Sequence, residues 1–218
     1  MKKIVVLGGK GIGMIASTII DRVGDARVIG FLNDNIEKGT KIGKYKQIEV
    51  IGKTDELPSY LSDKNTYVFI AYVGFKYEKE MYQRILALNI PENKFYNIID
   101  PTAIIPKEYC KIGKGVLIAP YSQLSSDATI SNNCMLLANS FVGHDSFLDH
   151  FAHLATNAVV GADVHVGKMV HIGSNATIRE CVKIGDYSIV GGGAVVVKDV
   201  PENSIVVGNP AKILRIKE

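Results

Sequence analysis

The stretch VGHDSFLDHFAHLATNAVVGADVHVGKMVHIG, residues 142–173, decides the fold. Read in steps of six, Val142, Leu148, Leu154, Val160, Val166 and Ile172 are all aliphatic. The rhythm runs outward in both directions, from Ile112 to Val196, as fifteen consecutive hexads that each open on Ile, Leu or Val. The position four residues later is always small or β-branched, from Val116 through Cys134 and Ala158 to Val200. Glycine often follows the aliphatic residue, as at Gly113, Gly143, Gly161, Gly167, Gly173, Gly185 and Gly191. A fixed hexapeptide period is the signature of a parallel β-helix, in which each repeat buries its apolar face only by stacking on its neighbours. The aliphatic and small positions point into the prism. The glycines are expected to relieve backbone strain at its corners. Three hexads close one triangular coil, so fifteen give five coils. Residues 101–111 add an irregular opening coil. The tail NSIVVGNPAKILRIKE (203–218) is expected to leave the repeat at Pro210 and fold back over the open strand edges, which proteins usually cover.

Residues 1–100 follow a different pattern. KIVVLG (3–8), ARVIGFLND (26–34) and TYVFIAY (66–72) read as strands. GMIASTIIDRV (13–23) has helical spacing at Ile15, Ile19, Ile20 and Val23, and YEKEMYQRILALN (77–89) places Met81, Ile85 and Leu88 on one helix side. Strand, glycine-rich turn, helix, strand is a parallel βαβ unit. The expected architecture is an α/β, Rossmann-like domain over residues 1–100, followed over 101–218 by an all-β left-handed parallel β-helix.

Composition narrows the function classes. Hydrophobic residues make up 47% of the 218, enough for a core, and the net charge is only +3 with no basic stripe, so no nucleic-acid partner is expected. No segment approaches about 18 apolar residues and the N-terminus has no signal-peptide pattern, so neither a membrane span nor export is expected. Cys110, Cys134 and Cys181 are odd in number and widely spaced, which fits reduced, buried thiols in a cytoplasm.

The polar residues of the opening stretch can now be placed. His144 is third in its hexad with Asp145 beside it, and His150 holds the same place one face later. His153 and His171 are eighteen residues apart, so they should stack on adjacent coils at about 4.8 Å. Three uses compete: half-exposed surface histidines, the reading kept for His150 and His165; a three-nitrogen zinc site; or general-base catalysis, in which His144 removes a proton and Asp145 holds its far ring nitrogen. At the front, LGGKGIG (7–13) joins strand to helix without the G-x-G-x-x-G dinucleotide fingerprint, which weakens an NAD reading. Such a turn still lets backbone approach a phosphate at a helix N-terminus. Asn33 and Asp34 close the second strand, where doubly wound domains read a ribose or base.

The whole chain resembles the two-domain sugar acyltransferases that include bacillosamine N-acetyltransferases and sialic acid O-acetyltransferases. The hexads, the VGNPAK ending (207–212) and the junction NIIDPTAIIP (97–106) carry the likeness. The resemblance implies an acetyl-CoA-dependent homotrimer, with the cosubstrate between neighbouring β-helices and a nucleotide-linked (UDP- or dTDP-) amino sugar on the N-terminal domain. His144 and Asp145 match the family's VGH-acid context, followed nine residues later by His153. The resemblance thereby implies His144 as base, Asp145 as its partner and His153 on the acetyl-CoA. It also implies an oxyanion contact at Gly161–Ala162 and further CoA contacts at Ser174 and Gly192. Gly8, Gly11 and Gly13 match its G-x-x-G-x-G turn. Ile12 stands where a histidine is frequent, and Lys10, in place of a small residue, either meets phosphate or is solvated. One acid, Asp34, stands where two are common, and Gly74 precedes Phe75 where Asn or Asp often follows the glycine. These departures leave the nucleotide open. The expected reaction is N-acetylation at C4 of a nucleotide-linked 4-amino-4,6-dideoxy sugar for a surface glycan, with no metal. The alternatives are O-acetylation of a sialic acid or related sugar, a metal-dependent β-helix hydratase, and a non-catalytic trimeric scaffold.

Overall fold

The computed structural model describes residues 1–72 and 78–217. The strand end at Gly74–Phe75 therefore lies outside the described residues. The chain begins β1 (Lys2–Leu7), α1 (Ile12–Val23), β2 (Ala26–Leu32), β3 (Lys41–Ile42), β4 (Ile48–Gly52), α2 (Leu57–Leu61), β5 (Thr66–Ile70) and α3 (Glu78–Ala87). The five strands form one sheet in the order β3-β4-β2-β1-β5, parallel except for the β3–β4 hairpin. After Lys2 and Lys3, β1 is a continuous apolar run because both faces of the sheet are covered there, and Ile4 to Leu7 have no exposure at all. α1 buries Gly13, Ala16, Ser17, Ile19 and Ile20. Ile15 and Val23, expected on that face, are exposed instead. The helix lies so close to the sheet that small residues make the contact: a Cβ on Gly13 would stand 3.4 Å from the Phe31 ring.

β6 (Ile98–Ile99) already pairs in parallel with Leu117–Ile118 of the β-helix, ahead of residue 101. Fifteen two-residue strands follow, β7 to β21, from Lys111–Ile112 to Val195–Val196, one per hexad. Each pairs in parallel with the strand three hexads on, as in Phe141↔Val159 and His153↔His171. The result is the left-handed parallel β-helix, three ladders around one core. All aliphatic positions except the half-buried Ile112 are buried, and so are the small positions. Beyond the repeat, β22 (Ser204–Val207) extends one ladder in parallel, and β23 (Lys212–Ile216) turns back against it. The tail therefore covers that edge, as expected.

The corner glycines do a different job from the one expected. The left-handed turn falls at the fourth hexad residue, where φ is positive at Asp127, Asn133, Asn139, Asp145, Asn157, Asp163 and Asn175 among others. Asn and Asp tolerate that conformation best after glycine. The glycine after the aliphatic residue instead answers to space. A Cβ on Gly143 would stand 2.6 Å from the Gly161 carbonyl of the next coil. Gly143→Ala is therefore expected to cost about 1–3 kcal/mol, the usual cost of overpacking, because backbone cannot step aside. Gly193 has φ 68 and nothing within 4 Å of a Cβ, so Gly193→Asn should be near neutral. Urea midpoints of the two variants check the contrast. The cysteines also differ from expectation: only Cys134 is buried, while Cys110 is half-buried and Cys181 exposed.

Two ladders differ on their outer side. On one, Leu117, Met135 and His153 are buried beneath the N-terminal sheet, where Leu117 and Met135 pack in a cluster with Phe31, Phe69 and Ile98. On another, Phe141, Val159 and Val195 stay only half-buried by their own chain. At the junction between the halves, buried Asp100 accepts hydrogen bonds from the backbone and hydroxyl of Thr102 and faces the α1 guanidinium of Arg22 at 3.4 Å.

Candidate active site

The strand order of the N-terminal sheet switches sides between the parallel strands β1 and β5, and the carboxyl ends of strands at such a point are where these sheets bind ligands. Gly8 (φ 124) leaves β1 there, where a Cβ would stand 3.4 Å from Ala71, the residue after β5. Gly11 (φ 64) is the N-cap of α1, has no side-chain cap and faces open space. Its helix thus presents uncapped N–H groups beside exposed Lys10 and half-buried Ile12. Asn33 is used internally: its amide donates to the Gly8 carbonyl at 3.1 Å and its oxygen accepts from the Asn35 N–H at 2.9 Å. It shapes the glycine turn and has little left for a ligand. Asp34 accepts from the Thr54 N–H at 2.9 Å. The Thr54 hydroxyl in turn meets the Tyr72 hydroxyl at 2.9 Å. An open groove of about 450 Å³ runs from Lys10, Gly11 and Met14 to Thr40, Lys41 and Lys44. Lys41 and Lys44 escaped the sequence reading. The lysine spacing of KGTKIGKYK (38–46) was their only signal.

The β-helix residues sort onto its edges. His144 and Asp145 occupy the corner after β12 (Phe141–Val142), with side chains 58% and 60% exposed. Asp145 takes the left-handed turn conformation at φ 59, which swings its carboxylate onto His144 Nδ1 at 2.7 Å. A carboxylate only accepts, so Nδ1 carries a proton, and in the neutral ring Nε2 is the nitrogen left with a lone pair on this exposed side chain. Below them by one coil lie Gly161 and Ala162, tied to the same corner by the Asp163 N–H to His144 carbonyl bond at 2.8 Å. The Gly161 N–H is spent on the Ile178 carbonyl at 2.9 Å, so it cannot serve an oxyanion. The Ala162 N–H meets no acceptor among the described residues. Ser174 and Gly192 stack at a different corner, where the Gly193 N–H binds the Ser174 carbonyl at 2.8 Å.

His153 lies on neither corner. On β14 (His153–Leu154) it faces the N-terminal half, 7% exposed, its Nδ1 2.9 Å from Nδ1 of His171 and the ring centroids 4.7 Å apart. Burial pushes its pKa down to about 3 and that of His171 down to about 4, so both are neutral near pH 7. They line a small cavity with Tyr72, Met135, Phe151 and Met169. Tyr72 links this cavity, through Thr54 and Asp34, to the glycine-turn end of the sheet. Within one chain, then, the expected residues form three groups: the His144 corner, the Ser174 corner and the His153 face. His150 pairs with Asp149 at 2.7 Å, and His165 stacks on Phe147 at 5.0 Å, both as surface residues. Among the described residues, no three His, Cys, Asp or Glu side chains converge as metal ligands, and no helix is long and apolar enough to cross a membrane.

Comparison with known proteins bears on both halves. Residues 3–85 match the family of the PglD N-terminal domain, and residues 163–198 that of the bacterial transferase hexapeptide, six repeats. No curated protein sequence matches the chain. The acetyltransferase domain of PglB from Neisseria gonorrhoeae, solved with acetyl coenzyme A, is 26% identical, with 98% of this chain and 99% of that one covered and a TM-score of 0.81. A histidine mutant of perosamine N-acetyltransferase from Caulobacter crescentus, solved with CoA and GDP-perosamine, is 23% identical over 99% of this chain and 98% of its own, with a TM-score of 0.85. WeeI from Acinetobacter baumannii is 24% identical over 98% and 100%, with a TM-score of 0.77.

Proposed function

We propose that the chain, which resembles the hexapeptide-repeat sugar acyltransferases with a PglD-type N-terminal domain, transfers the acetyl group of acetyl-CoA to the amine of a nucleotide-linked sugar. The observation that carries the reading is the His144–Asp145 pair: an exposed histidine with its far nitrogen fixed to a carboxylate at 2.7 Å. An acceptor amine is protonated at neutral pH, loses that proton to solvent before it attacks, and must lose a second one as the new C–N bond forms. Nε2 of His144 takes it, and Asp145 stabilises the imidazolium. The amine adds to the thioester carbonyl, and the free Ala162 N–H receives the developing oxyanion, a contact of the kind worth a few kcal/mol. The intermediate collapses with loss of the CoA thiolate, which takes the proton back from His144. No covalent acyl-enzyme is needed.

His153 faces the acetyl-CoA in this reading, and the cosubstrate runs past Ser174 and Gly192. The nucleotide diphosphate lies on the Gly8–Gly13 turn, with Lys10 and the lysines of the adjoining groove. The acceptor is the C4 amine of a UDP- or dTDP-linked 4-amino-4,6-dideoxy sugar, and the enzyme works in the cytoplasm. The three separated groups of residues call for a homotrimer. The half-buried ladder of Phe141, Val159 and Val195 lies between the His144 and Ser174 corners. A second copy seated on it would bring one chain's His144 to its neighbour's His153 face.

A CoA-release assay with acetyl-CoA and UDP-, dTDP- and GDP-linked 4-amino sugars plus free sialic acid tests this. Turnover is expected with a nucleotide-linked amine. Turnover with sialic acid alone would overturn the amine assignment, and stoichiometric zinc in active protein would overturn the direct-attack mechanism.

A further inference from the structure

We propose that His171 is a positioning residue that fixes the tautomer of His153, so that His153 offers an Nε2–H donor to the acyl oxygen of the thioester. The inference rests on the reading that His153 faces acetyl-CoA, and adds a residue and a proton position to it.

The parallel register His153↔His171 sets the two rings side by side on the β-helix face. Their Nδ1 atoms approach to 2.9 Å, which requires one proton between them: one nitrogen donates and the other accepts. Burial keeps both rings neutral, so a second proton is not available to either Nδ1. The tautomers are therefore opposite, and the choice at one ring dictates the other. His153 Nε2 is buried and has no partner among the described residues. The cavity beside it is lined by Met135, Phe151, Met169 and Val170, with Tyr72 at its edge. The Tyr72 hydroxyl is engaged with Thr54. His153 Nε2 is thus an unpaired polar handle beside a cavity whose remaining lining, His171 and Tyr72 apart, is apolar, and an unpaired buried nitrogen is costly unless a ligand pairs it. A thioester carbonyl carries lone pairs and no proton, so the handle must donate. It donates only when His153 Nδ1 is the acceptor, which in turn requires the Nδ1–H tautomer of His171.

Two substitutions at His171 separate this from a packing role. His171→Asn keeps an N–H near His153 Nδ1. His171→Asp offers only acceptor oxygens, draws the proton onto His153 Nδ1 and turns Nε2 into an acceptor. On the purified full-length protein, His171→Asp is expected to weaken acetyl-CoA binding about tenfold, the scale of one hydrogen bond lost and one mismatched. Binding of CoA, which lacks the acyl oxygen, should stay within about twofold, and His171→Asn should keep most of the acetyl-CoA affinity. Equal losses for acetyl-CoA and CoA would overturn the proposal. So would nitrogen NMR of the histidine-labelled wild type, if it shows His153 protonated at Nδ1. If the protein binds neither CoA nor acetyl-CoA, the acetyltransferase reading fails, whereas a His153 Nε2–H signal would still uphold the tautomer.

Discussion

His144→Asn is expected to lower turnover by about 10²–10⁴-fold, the usual contribution of a positioned general base, with little change in stability. The ring is 58% exposed, and the corner that carries it is held by backbone bonds, from Asp145 N–H to the Ser126 carbonyl and from Asp163 N–H to the His144 carbonyl. A surface substitution of this kind usually stays within about 0.5 kcal/mol. Asp145→Asn is the companion variant. Asparagine already takes the same left-handed turn at Asn133, Asn139, Asn157 and Asn175, so the corner survives and any loss reports the carboxylate. Activity measured in mixtures addresses assembly. If His144 of one chain works against the His153 face of another, His144→Asn and His153→Ala subunits, each inactive alone, should regain turnover when refolded together. Unchanged turnover in His144→Asn would remove His144 as the base, whereas no turnover in the wild type, with nucleotide-sugar binding unaltered by His144→Asn, would favour the non-catalytic scaffold.

The β-helix was legible because its constraint is periodic. One side chain in six enters the prism, so the aliphatic register, the coil closure and the stacking of His153 on His171 all follow from counting. The role of the corner glycines was not legible, since spacing alone does not distinguish a positive φ from a close approach between coils. The N-terminal half was read through β1, α1, β2 and β5. The β3–β4 hairpin and α2 were missed because KI (41–42), IEVIG (48–52) and LPSYL (57–61) are short and mixed in polarity, without the unbroken apolar run that marks β5. The site divides the same way. His144 and Asp145 are adjacent in sequence and meet as expected. Asn33 reads as a ligand contact in sequence yet turns inward to Gly8, a tertiary contact across twenty-five residues. The burial of His153 comes from the N-terminal sheet lying on that ladder. Its trace in the sequence is Leu117 and Met135 at outward positions of the same ladder, where exposed solenoid faces carry polar residues such as Lys111 and Gln123.

The buried histidine pair makes a second large effect: stability should fall as pH drops from about 6.5 towards 4.5. In the unfolded chain each ring takes a proton near its ordinary value of 6.5, whereas in the fold burial delays protonation to about 3 at His153 and about 4 at His171. Between those values the unfolded state binds more protons than the folded one, so protons favour unfolding. The contribution is fully present above pH 6.5 and diminishes below it. Each ring adds a slope of about 1.4 kcal/mol per pH unit, so the pair costs several kcal/mol across the window. Carboxylates with lowered pKa act in the same direction but later. Asp25, shared by Tyr96 and Lys2, and Asp63, held down to about 2 by the Asn65 N–H and Lys3, are ionised in both states until the pH falls below about 4. Glu56, held down by the Lys53 N–H, begins to act as the pH nears its ordinary value of 4.5, so the upper part of the interval, from 6.5 to about 5, isolates the histidines. Urea unfolding across it should show a steep loss in the wild type and a markedly flatter profile in the His153→Gln/His171→Gln variant, whose amides fill the site without titrating. Parallel profiles would mean that the two rings accept protons in the folded chain, and with that the fixed tautomer of His153 would fall as well.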